Sequence, residues 1–168
     1  MSIVKKNNQV YWVCPLIEES EFLDLETVND TFQELKKYFI NQKVGLIHGR
    51  MKAEEKKEIM KKFQQNTIQI LVATSVIEVG VDVPNATIMI IENSERLGLS
   101  QLHQLRGRIG RGEKSSFCLL LYKNKLSSAA KQRLRIIYEN IDGFKIAEED
   151  LKLRGPGELL GYKQSGIP

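Results

Sequence analysis

The chain has 168 residues, 42% of them hydrophobic and 27% charged, which is the make-up of one soluble globular domain with a buried core rather than a tail or a fibre. Its 25 basic and 21 acidic side chains leave a net charge of +4, compatible with a nucleic-acid partner without demonstrating one. No apolar run approaches the ~18 residues that span a bilayer, and the N-terminus lacks the long apolar stretch of a secretory signal, so a cytosolic protein is expected.

In chain order, five short apolar runs rich in β-branched or aromatic residues read as strands: Val10–Cys14, Val44–His48, Ile68–Ala73, Thr87–Ile91 and Phe117–Tyr122. Most are continuous rather than alternating, as in strands covered on both faces of a parallel sheet. Between the first two lies Glu21–Phe39, with Phe22, Leu25, Phe32, Leu35 and Phe39 at helical spacing. Ala53–Phe63 is a second helix, with Ile59, Met60 and Phe63 inward and a charged outer face. This alternation predicts a doubly wound α/β domain.

Such sheets carry functional residues just past the carboxyl ends of their strands. There stand "HGRM" after the second strand, "TSVIEVGVDVPN" after the third and "ENSERLG" after the fourth. Beyond Tyr122, Ser127–Glu139 and Gly143–Leu151 read as a helical pair, and the glycine-rich "LRGPGELLGYKQSG" as irregular. The division expected is a lobe over 1–124 and a hairpin with tail over 125–168. Cys14 and Cys118 lie in apolar runs and read as buried, reduced thiols. Neither His48 nor His103 has a partner at metal-ligand spacing, so no zinc is expected.

The segment "QLHQLRGRIGRG" (Gln101–Gly112) is the densest in chemistry, with three arginines and three glycines in twelve positions. Ser100 is the expected N-cap of a helix whose buried stripe is Leu102, Leu105 and Ile109. Gln101, Gln104, Arg108 and Arg111 then share a neighbouring face. A glycine inside a helix costs about 1 kcal/mol relative to alanine. Close approach of a phosphate to bare backbone is one reason to accept that cost, and guanidinium forks suit phosphate oxygens. A solvated basic helix end with a glycine stop is the plainer alternative.

The spacing Gln104-x-x-Gly107-Arg108-x-Gly110-Arg111 resembles motif VI of superfamily 2 helicases. In the order expected of that superfamily, "QVYWVCPLIEES" (Gln9–Ser20) looks like motif IV, "VGLIHGRM" (Val44–Met51) like motif IVa and "VATSVIEVGVDVP" (Val72–Pro84) like motif V. The tail "DLKLRGPGELLGYKQSG" (Asp150–Gly166) resembles the translocation motif shared by the RecG helicases and the transcription-repair coupling factors. The first strand and the block from Glu92 to Gly112 look like the RecG family in particular.

That resemblance implies a three-layer RecA-like lobe with a mainly parallel sheet, then a helical hairpin and an irregular C-terminal loop. It implies the second motor lobe of an ATP-dependent helicase that translocates on branched DNA. Arg108 and Arg111 would reach ATP phosphates, with Gln104 as a link to the γ-phosphate or between lobes, and Gly80 and Asp82 would sit near the ribose. Gly49, Arg50, Thr74 and Ser75 would touch the DNA backbone. His48 is more often structural at such a position, and Glu78 is a structural or interlobe acid rather than a base. Arg133, Arg154 and Gln164 would couple hydrolysis to movement on duplex DNA.

No G-x-x-x-x-G-K-[ST] loop and no D-E-x-x box occurs in the sequence. ATP and Mg²⁺ are therefore expected mainly on a first motor lobe of the same polypeptide, and no ATPase from this chain alone. The implied partners are DNA (forks, junctions, a duplex arm), the first motor lobe and an N-terminal wedge domain, with no membrane. The implied compartment is the bacterial cytoplasm, at the nucleoid. Two alternatives stand beside this one: the motor lobe of a transcription-repair coupling factor, and a non-catalytic nucleic-acid-binding module.

Overall fold

The computed structural model describes residues 8–16, 21–74, 83–110, 114–123 and 125–154. The elements run β1 (Gln9–Cys14), α1 (Glu21–Tyr38), β2 (Val44–Ile47), α2 (Ala53–Gln64), β3 (Ile70–Thr74), β4 (Ala86–Ile91), α3 (Leu99–Arg106), β5 (Phe117–Leu120), α4 (Ser128–Glu139) and α5 (Gly143–Arg154). A single 3-10 turn, Ser94–Arg96, precedes α3. The five strands form one sheet in the order β2-β3-β1-β4-β5, and every pairing is parallel.

Strands β1 to β4 send alternate side chains to two apolar layers, which is why their runs read as continuous. Tyr11 and Val13 of β1, Leu71 and Ala73 of β3, and Met89 and Ile91 of β4 face one layer. There α2 contributes Met60 and Phe63, α3 Leu99, Leu102 and Leu105, α4 Leu134 and Ile137, and α5 Ile146. Val10, Cys14, Ile70, Val72 and Ile88 face the other layer, closed by Val28 and Leu35 of α1. The sheet is thus the middle of three layers. The hairpin α4–α5 shares its core with the lobe that precedes it.

Phe63, fully buried, packs its ring on Tyr11 with centroids 5.0 Å apart. The end of its helix is held by Gln9, whose Nε2 donates to Phe63 O at 2.5 Å and Ile68 O at 2.6 Å. Those carbonyls replace water at the two amide N–H groups, while Gln9 Oε1 is buried with no hydrogen-bond partner among the described residues. Ile68 lies before β3, not in it; its side chain fits because Gly45 faces it, where a Cβ would stand 2.9 Å from Ile68 Cδ1.

Two expectations need correcting. The Phe117–Tyr122 run is not covered on both faces: among the described residues α1 packs chiefly against β2 and β3, and β5 stands at the other edge of the sheet. Phe117 and Leu119 are therefore exposed, while Cys118 and Leu120 turn inward. In consequence Cys14 is buried but Cys118 only half-buried, and both are free thiols. Among the described residues no helix is long and apolar enough to cross a membrane.

Candidate nucleotide and nucleic-acid surfaces

The helix α3 begins two residues earlier than Ser100 suggests. Gly98 is its N-cap, and the Gln101 side chain returns to accept the Gly98 N–H at 3.0 Å. Leu99 joins Leu102 and Leu105 on the buried stripe. The helix stops at Arg106, and Gly107 N–H bonds to His103 O at 3.0 Å as its cap. Arg108 N–H then bonds Leu105 O at 2.9 Å, a tightened turn that still carries Ile109 into the core.

The glycines are explained by this ending. Gly107 is a cap residue, so the cost of an interior helical glycine does not arise there. Gly110 has φ = +77°, and a Cβ on it would stand 2.5 Å from Ser116 Oγ. Here only glycine fits, because the chain must turn left-handed towards β5. Gln101 and Gln104 lie exposed on the helix, whereas half-buried Arg108 belongs to the turn beyond it and not to a continued helical face. Arg111 lies outside the described residues.

Topology sorts the expected site residues onto two edges of the sheet. β4 and β5 are parallel, so α3 carries the chain from the carboxyl end of β4 back to the amino end of β5. Arg108 and Gly110 therefore stand towards the amino edge, where Lys114 Nζ also bonds Asn85 Oδ1 at 3.3 Å just ahead of β4. Gly49 and Arg50 stand at the opposite, carboxyl edge, in the exposed turn after β2. The chain leaves β3 at Thr74 on that same edge and rejoins the described structure at Val83, before β4. Ser75, Glu78, Gly80 and Asp82 lie outside the described residues.

The carboxyl-edge turn carries Arg50, with Lys52 and Lys56 close by in sequence and Glu54 and Glu55 offsetting them in part from the first turn of α2. Lys56 Nζ donates to Gly49 O at 3.0 Å, which brings a second positive charge beside Arg50. Half-buried His48 has its pKa lowered, first by burial and then by Lys56 and Arg50, against an opposing pull from Glu55. Its Nδ1 is buried without a hydrogen-bond partner among the described residues. Thr74 is 1% exposed, and its Oγ1 is buried with no hydrogen-bond partner among the described residues.

The hairpin is tied to the α3 block by arginines from both sides. Arg133 of α4 donates through Nη2 to Glu95 O at 2.7 Å and through Nε to Leu97 O at 3.3 Å, gripping the entry to α3. Arg106 of α3 reaches the α4–α5 connection and donates to Ile137 O and Asn140 O, both at 2.7 Å. The sequence pattern passed over Arg106. Arg154 is the last residue of α5, and Gln164 lies outside the described residues.

Comparison with known proteins agrees with this architecture. The model of the helicase conserved C-terminal domain matches residues 1–113, and that of the C-terminal part of domain 3 of the ATP-dependent DNA helicase RecG matches residues 140–168. The ATP-dependent DNA helicase RecG of Escherichia coli K12 is 57% identical over 163 residues, which are 97% of this chain and 24% of that protein. RecG of Pasteurella multocida is 56% identical over 164 residues, 98% of this chain and 24% of that protein. The chain thus spans about a quarter of the length of these relatives.

Among solved structures, that of RecG bound to a three-way DNA junction superposes with a TM-score of 0.74 at 47% identity, covering 90% of this chain and 19% of that one. The C-terminal domain of the DEAD-box protein Dbp5 shares the fold alone, with a TM-score of 0.57 at 16% identity over 79% of this chain and 68% of that one.

Proposed function

Because the chain belongs to the helicase conserved C-terminal domain family, and within it to the RecG type, we propose that it is the second motor lobe of an ATP-dependent translocase acting on branched DNA, at forks and Holliday junctions. The observation that carries this reading is the placement of Arg108 and of the cationic Gly49–Arg50 turn on opposite edges of one sheet. A motor lobe has two ligands to hold, a nucleotide shared with a neighbouring lobe and a DNA strand, and here each finds its own edge.

At the amino edge, Arg108, Arg111 and Gln104 would donate to phosphate oxygens, with Gly80 and Asp82 near the ribose. Guanidinium forks and an amide are donors suited to that group. The P-loop and the acidic box lie on a first motor lobe, which holds most of ATP and Mg²⁺. Hydrolysis of the bound nucleotide supplies the free energy. This chain's residues bind, orient and respond. At the carboxyl edge, Gly49, Arg50 and Ser75 would grip the DNA backbone, a sequence-independent contact that suits a translocase. Residues 1–124 form the motor lobe, and 125–168 the hairpin and tail, in which Arg133, Arg154 and Gln164 link nucleotide turnover to movement on the duplex. The wedge that selects forks belongs to an N-terminal domain of the same polypeptide, and the protein works at the nucleoid in the bacterial cytoplasm.

The test is an ATPase assay of the purified chain with a three-way DNA junction, alone and with the first motor lobe added in trans. Hydrolysis should stay at background alone and rise with DNA once the partner lobe is present. In the full-length protein Arg111→Ala should cut turnover by about 10³–10⁵, as for arginine fingers in related NTPases, with little loss of DNA affinity. DNA-stimulated hydrolysis by the chain alone, or near-normal turnover in Arg111→Ala, would overturn the reading.

A further inference from the structure

The last turn of α4 has no basic side chain of its own. Carbonyls in a helix's last turn lack partners within the helix and carry the negative end of its dipole, so a cation there is stabilising. In this fold the cation arrives from a different helix. Arg106, the final residue of α3, places Nη1 2.7 Å from both Ile137 O and Asn140 O, and Nη2 3.3 Å from Ile141 O. Nη2 also stands 3.2 Å from His103 Nδ1, which accepts in the tautomer protonated at Nε2. A planar fork meets such a row of carbonyls, whereas an ammonium is a single point.

The same junction closes over a glycine. Gly143 opens α5, and a Cβ there would stand 2.8 Å from His103 Nε2. His103 is therefore held on one side by Arg106 and on the other by the start of α5. Arg133 runs the opposite way, from α4 to the carbonyls that lead into α3. One arginine ties the entry of α3 to the hairpin, and the other ties its exit.

We propose that Arg106 is a positioning residue that makes the α4–α5 hairpin and the arginine turn after α3 move as one body. Arg108 is two positions along the chain from Arg106, and α5 leads to Arg154 and the tail. A displacement at the nucleotide edge reaches the tail through this clamp and not through the sheet. The inference rests on the second-lobe reading above, and it adds a residue outside the set that would touch nucleotide or DNA.

The experiment uses the full-length protein and measures two rates on a branched DNA, ATP hydrolysis and unwinding, for Arg106→Ala and Arg106→Lys. The expected result is DNA-stimulated hydrolysis close to that of the parent, with the ATP consumed per base pair unwound raised about two- to thirtyfold, the range of residues that carry coupling between sites. Arg106→Lys, which keeps the charge but not the fork, should fall between parent and Arg106→Ala, and it carries the test alone if Arg106→Ala does not fold. An unchanged ratio in a folded variant overturns the proposal, and so does a proportional loss of both rates. A parent protein that hydrolyses no ATP with DNA takes down the second-lobe reading itself, so the two failures are told apart.

Discussion

At Gly110 the backbone turns to φ = +77°, and Ser116 Oγ lies 2.5 Å from where a Cβ would be, so the residue answers to two constraints at once. The left-handed conformation alone costs an L-residue about 1–2 kcal/mol. Gly110→Ala should therefore lower unfolding free energy by about 1–3 kcal/mol in urea titration. Adding Ser116→Gly should recover only the steric part, and a Gly110→Ala protein as stable as the parent would show that the turn can relax. Cys14 offers a second measurement. Burial, then the charge of Glu92, pushes its thiol up to about 12 from an ordinary 9.0. Between those limits only the unfolded chain releases the proton, so stability falls as pH rises, by about 1.4 kcal/mol per pH unit at most. Cys118, pushed up to about 11, adds a similar effect, but it is common to parent and variant and cancels between them. The stability difference between the parent and Cys14→Ala should thus be constant below pH 8 and move against the parent from pH 9 to pH 10. A difference that stays flat over that interval would mean the thiol titrates normally.

Among the elements, those whose character depends on neighbours in the chain were legible, and those that depend on neighbours in space were not. All five strands stand within two residues of their apolar runs, because a sheet sandwiched between helix layers needs apolar residues on both faces. The open outer face of β5 could not be read, since "FCLLLY" looks the same whether a helix covers it or not, and the lateral strand order decides that. The stripe of Leu102, Leu105 and Ile109 was recognisable although α3 ends at Arg106, because the tightened turn keeps Ile109 inward. Side-chain chemistry pointed to Ser100 as the cap, yet Gln101 caps Gly98 from within the first turn. In the candidate site, the rule that function gathers at carboxyl strand ends found the Gly49–Arg50 turn. It could not find the edge on which Arg108 stands, because that follows from the parallel return of β5. Arg106 left no trace in the pattern, since its partners at Ile137, Asn140 and Ile141 are main-chain carbonyls that any residue supplies.

For the molecule as a whole, the separation of the two edges is the property with most consequence. Strands of four to six residues hold the edges roughly 13–20 Å apart at about 3.3 Å per residue. Side chains that far apart with no shared partner act independently on a local equilibrium, and depart from additivity only through a conformational change. If Arg50 meets a DNA phosphate, Arg50→Ala in the full-length protein should weaken DNA binding and flatten its salt dependence by about 0.7–0.9 in the slope of log K against log salt, the contribution of one phosphate contact. Its affinity for nucleotide in the absence of DNA should be unchanged. Arg108→Ala should do the reverse, cutting turnover by about 10³ or more while the salt slope stays at the parent value. The double variant should then bind DNA as Arg50→Ala does, with nothing added by the second substitution. A salt slope lowered by Arg108→Ala as much as by Arg50→Ala would put both guanidiniums on one ligand, and the assignment of nucleotide to one edge and DNA to the other would fall.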